Sequence, residues 1–129
     1  MRFLFAFFGL VLVPGAASAC MEDGTQLQTT DTTAPAIYAQ LDQISVSQPF
    51  GLRFTVCGVD DLQAATIMVD AWMPKHQHGM NYSPTVRSLG NGRYEVSNML
   101  FHMPGDWQLR ISLPDASDSP PQVLHIEVK

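Results

Sequence analysis

Five short runs of this chain place an apolar side chain at every second residue, the period of a strand that buries one face and wets the other. Phe50, Leu52, Phe54 and Val56 fall on one parity, with Gly51, Arg53, Thr55 and Cys57 on the other. Ile67, Val69, Ala71 and Met73 repeat the pattern, as do Tyr94 and Val96, then Trp107, Leu109, Ile111 and Leu113. Leu124, Ile126 and Val128 close the chain. Turn chemistry separates the runs: Gly58 to Asp61, Gly90-Asn91-Gly92, Pro104-Gly105, and Pro114 to Pro121. No segment holds a 3.6-residue period long enough for a structural helix, and no internal repeat is visible. The expectation is all-β, an antiparallel β-sandwich of about seven strands.

A length of 129 residues with 46% hydrophobic and 15% charged content fits one such domain and is too apolar for a disordered tail. The formal charge of −5 offers no basic field for phosphate, which argues against nucleic acid and acidic membrane surfaces. Two cysteines are too few for a disulfide-rich scaffold or a four-cysteine zinc site.

The first residues read as an address. Arg2 precedes the uncharged run Phe3 to Val13, and Ala17-Ser18-Ala19 follows as a small-x-small cleavage site. The run is shorter than the about 20 apolar residues that span a bilayer, so no transmembrane segment is expected after cleavage. The expected organisation is a signal peptide over 1–19, a polar, Thr-rich lead-in over 20–35 and a sandwich domain over 36–129, exported to the periplasm. In an oxidising compartment Cys20 and Cys57, the only two cysteines, are candidates for a disulfide. The stretch Ala17-Ser18-Ala19-Cys20 is also close to a lipoprotein box, which would instead anchor Cys20 through a lipid.

Histidine and methionine carry the functional signal. Of four His and seven Met, His76, His78, His102, Met73, Met80, Met99 and Met103 all fall within residues 73–103. Two segments concentrate them: Met-Pro-Lys-His-Gln-His-Gly-Met at 73–80 and Phe-His-Met-Pro-Gly-Asp-Trp at 101–107. An extended segment after Pro74 would point His76, His78 and Met80 to one side. Pro104-Gly105 fits the centre of a type II turn that would fix His102 and Met103 at a corner. Met73 and Met99 read as core filler and His125 as a solvated strand residue. Trp72 and Trp107 are expected to pack beneath the two segments.

Imidazole and thioether together form a borderline-to-soft donor set that suits copper, as Cu(I), Cu(II) or both. Blue-copper electron transfer needs a thiolate ligand, and Cys57 lies far upstream of the cluster with no ligand loop after it. His76, His78 and His102 also resemble a three-His zinc pattern, but the neighbouring Met, Lys, Gln and Gly supply no general base, and a catalytic role is not expected. A non-catalytic domain whose His-rich loop binds another protein is the remaining reading.

Residues 73–80 and 92–107 together resemble the YtkA-like and FixH-related group of small exported proteins, and their ligand style is similar to that of periplasmic copper chaperones serving cytochrome oxidase assembly. The resemblance covers roughly Phe50 to Val128. It implies an immunoglobulin-like or cupredoxin-like sandwich and a role in handling copper, with a recipient metalloenzyme or oxidase assembly factor as partner. His102 and Met103 are adjacent here, where the best-known chaperone pattern separates the two by one residue.

Overall fold

A computed structural model of the chain describes residues 20, 23–114 and 119–129. The expected signal segment 1–19 lies outside the described residues. Among the described residues, nine strands form two antiparallel sheets stacked as a β-sandwich. The first sheet contains β1 (Thr25–Gln26), β2 (Ile37–Leu41), β3 (Phe50–Val56), β6 (Thr85–Gly90) and β7 (Arg93–Met99), in the order β1-β2-β3-β7-β6. The second contains β4 (Met68–Met73), β5 (His78–Gly79), β8 (Gly105–Ser112) and β9 (Gln122–Val128), in the order β5-β4-β8-β9. Seven of these strands are five residues or longer, and β1 and β5 have two each. The helical content among the described residues is one 3-10 turn, Ala64–Thr66. No helix among the described residues is long and apolar enough to cross a membrane.

The period-two runs become the walls of the core. Phe50, Leu52, Phe54 and Val56 of β3 are buried and face Val69, Ala71 and Met73 of β4 and Trp107, Leu109 and Ile111 of β8, with Tyr94, Val96 and Met99 of β7 completing the layer. At roughly 1.5–3 kcal/mol for each large apolar side chain removed from water, this cluster dominates the favourable side of folding. Phe54 and Tyr94 stack at 5.1 Å, and the Tyr94 hydroxyl donates to the Leu62 carbonyl at 3.0 Å. Outward positions are polar: the Arg110 guanidinium donates to both Asp70 carboxylate oxygens at 2.7 and 2.8 Å, and Arg87 pairs with Glu95 across β6 and β7.

Two expectations about the frame need correction. Part of the lead-in belongs to the sandwich itself rather than preceding it. Its β1 pairs with β2, Gln28 bridges to Val123 of β9 by two hydrogen bonds, and Leu27 between them is buried. One apolar residue in a polar stretch carries no period, yet that residue anchors the segment across both sheets. The second correction concerns Trp72, which is half-buried on the outer face of the second sheet under the Arg110 guanidinium at 5.5 Å. It follows Ala71 and precedes Met73, both inward, so the pleat turns it away from the core.

Antiparallel register sorts the loops into two poles. At one pole lie the ends of β3, β4 and β8 nearest Phe50, Met73 and Gly105; at the other lie Cys57, Pro35, Leu62 and Gln122. Cys20 and Cys57 are joined at that second pole with a Cα–Cα distance of 5.4 Å. A sulfur joined to Cys57 is not available to a lipid, so the geometry favours the disulfide.

Candidate metal centre

The first pole gathers the histidines. Met73 of β4 pairs with His78 of β5, which makes Pro74–Gln77 a four-residue hairpin turn. The Met73 carbonyl accepts from the His76 and Gln77 amides at 3.2 and 2.8 Å, and Gln77 closes the turn at φ 53. The extended segment expected after Pro74 is therefore replaced by a tight turn. The reason is local: Pro74 fixes a φ suited to turn entry, and Met73 and His78 are already paired across the strands. His76 thus stands exposed on the hairpin tip, while His78 and Met80 are half-buried at its base.

Across the pole, the 101–107 segment enters from the end of β7. Phe101 is fully buried, its ring 4.7 Å from that of Trp107 and 5.0 Å from that of Phe50. The Trp107 indole Nε1 donates to the Met103 carbonyl at 3.0 Å. The corner carrying His102 and Met103 is therefore held by a buried tryptophan rather than by the type II turn expected at Pro104-Gly105. Gly105 is instead the first residue of β8, at φ 126. A Cβ there would stand 3.3 Å from the Met73 methyl, so the lack of a side chain lets the strand start close against the β4 end.

The two segments meet over this indole. The rings of His78 and His102 are 5.1 Å apart, and those of His76 and His78 are 5.9 Å apart. Trp107 presents itself edge-on to both inner rings, 5.7 Å from His78 and 5.5 Å from His102. Trp107 is fully buried, as expected for a residue beneath the cluster. Met80 and Met103 pack against the edge of the core as half-buried side chains, whereas Met73 and Met99 are wholly inside it. His125 is exposed on β9 and Met68 is 71% exposed, both away from the cluster.

Hydrogen bonding decides what each imidazole can offer. His78 Nδ1 lies 3.2 Å from the Gly79 carbonyl oxygen, which can only accept. Nδ1 therefore carries the proton in the neutral ring, and the Nε2 lone pair is left to bind. His102 Nδ1 is buried without any hydrogen-bond partner. A polar nitrogen in that position costs about 1–3 kcal/mol relative to a satisfied one. Among the described residues, no three His, Cys, Asp or Glu side chains are arranged as a ready-made metal cage. The nitrogens form a file with His78 in the middle, and the sulfurs of Met80 and Met103 flank it in sequence.

Sequence reasoning missed the device that fixes the corner. The Trp107 indole donor lies four residues after the carbonyl it holds, a spacing with no regular-structure signature. The hairpin was better marked, since proline opening four residues between two strand ends is a turn signal.

Comparison with known proteins bears on this same region. No curated protein matches the sequence significantly. Residues 57–112 match the family model described as YtkA-like, a stretch that begins at the bridged cysteine and holds all three clustered histidines, Met80, Met103 and Trp107. From Cys57 to Ser112 the chain is thus similar to the YtkA-like family.

Proposed function

We propose that this protein binds copper at the histidine pole and carries, buffers or delivers it to a recipient metalloenzyme or oxidase assembly factor in the periplasm. His76, His78 and His102 would supply imidazole nitrogen, and Met80 and Met103 thioether sulfur. The observation that carries the reading is the 5.1 Å approach of His78 and His102 from distant segments, with a buried, unpartnered Nδ1 on His102. Ring centres on the order of 5–6 Å apart are what two imidazoles sharing an ion require when each metal–nitrogen bond is about 2.0 Å. The donor chemistry fits: nitrogen holds either copper state, and thioether favours Cu(I) while needing no deprotonation. Copper is cargo in this reading, so ligands at the rim of the fold, open to exchange, serve it better than a closed cage.

Titration with Cu(I), Cu(II) and Zn(II), followed by calorimetry, tests the assignment. One equivalent of copper should bind in preference to zinc, and the double variant His78→Ala/His102→Ala should lose stoichiometric binding with its β-sheet circular dichroism intact. Tight binding by the double variant would reject the site. Absence of binding by the parent would return the hairpin to a protein-binding surface.

A further inference from the structure

We infer that the three histidines act in sequence rather than together, with His76 the entry ligand and His78 and His102 the seat; the inference rests on the copper reading above. The rings form a file, His76 to His78 at 5.9 Å and His78 to His102 at 5.1 Å, so His78 alone contacts both others. Solvent access falls along that file. His76 is exposed on the Pro74–Gln77 tip, His78 is half-buried in β5, and His102 has a ring nitrogen sealed from solvent.

The anchoring rises as access falls. His102 sits beside Met103, whose carbonyl is pinned by the Trp107 indole, and His78 is fixed by strand pairing with Met73. His76 hangs on a turn whose amides bond only to the Met73 carbonyl. The innermost donors are thus preorganised, and the outermost one is held only through the hairpin turn.

Associative metal transfer needs an incoming donor to attach before an outgoing one lets go. An exposed imidazole one ring away from the seat meets that need in both directions. A donor engaged only during passage lowers the barrier to capture and release alike, and so changes the equilibrium less than either rate. His76 is accordingly the point at which donor and recipient ligands exchange, and His102 the residue that sets affinity.

The test uses Trp107, whose indole lies within 5.7 Å of both seat rings, as a copper-quenched reporter in a Trp72→Phe background. Aqueous Cu(II) is mixed in by stopped flow and later withdrawn with EDTA, and affinity is measured separately by chelator competition. His76→Ala should slow capture and release by about tenfold each, within the one to three decades over which association rates vary among variants of one interface. His102→Ala, or His102→Asn if the alanine variant folds poorly, should lose affinity by about 100-fold or more, at least the loss seen on removing a residue that merely supports a ligand. Lys75→Ala on the same tip should leave both measurements unchanged. Equal affinity losses in His76→Ala and His102→Ala would make His76 a seat ligand, and unchanged rates in His76→Ala would make it a bystander; either overturns the relay while leaving copper binding intact. A parent that binds no copper overturns the copper reading itself.

Discussion

The two poles of the sandwich are closed in opposite ways. At the cysteine pole most polar groups are spent on one another: Cys20 is joined to Cys57, the Tyr94 hydroxyl is taken by Leu62, and the Gln122 amide nitrogen donates to the Pro35 carbonyl at 2.7 Å, while the Gln122 Oε1 is buried without a partner. Asp31 accepts from the Thr33 side chain and amide and from the Ser119 hydroxyl, which holds its carboxyl down at about 2. At the histidine pole the backbone is fixed just as firmly, through Trp107 and the Met73 carbonyl, yet the imidazoles on it keep unused nitrogen. Side chains whose bonding capacity is filled internally lock a fold; side chains held in place with capacity to spare are equipped to receive something from outside.

The comparison predicts where damage goes. The largest effect belongs to the cysteine pole: replacing Cys20 and Cys57 by Ser should cost about 4 kcal/mol on the chain-entropy account of closing a loop of separation 37, read by urea denaturation. Copper affinity at the far pole should be unchanged, and a linked loss would show that the poles are not independent. Methionine separates the two roles next. Met73→Ala, in the core, should cost roughly 3 kcal/mol through lost burial and a cavity. Met103→Ala should cost less than that and should weaken Cu(I) more than Cu(II).

Smaller again is Trp107→Phe, which keeps an aromatic ring under the site but leaves the Met103 carbonyl without its donor, at about 1–3 kcal/mol. Near-ultraviolet circular dichroism should report the loosened corner before global unfolding does. The smallest effect is set by pH. The Asp31 carboxyl titrates lower folded than its ordinary 3.8, so its contribution is complete above about pH 4 and disappears as the pH falls through about 2. Parent and Asp31→Asn should therefore differ in melting temperature at neutral pH and converge at pH 2. A gap that widens on acidification would mean Asp31 is not held by these hydrogen bonds.

The positions and inward faces of β3, β4 and β8 were legible because a period of two is a property of the backbone itself, and their buried residues fall where that period puts them; β1, β2, β5 and β6 are not among the five period-two runs. The meeting of residues 76–80 with 102–103 was legible only as a clustering of rare donor types. What the sequence concealed depends on contacts between segments. Leu27 enters the core because β2 and β9 lie on either side of it, and Met103 is fixed by an indole whose donor is invisible to any spacing rule. Gln77 took a left-handed conformation to complete a hairpin that glycine more often supplies.

The clasp made by residues 25–28 also dictates an order of events. Gln28 bonds to Val123, so among the described residues the segment that follows β1 closes on β9. Contacts so remote in sequence form late and slowly. The described sandwich is thereby closed only when its most distant segments have met, so this contact falls among the last steps of folding rather than the first.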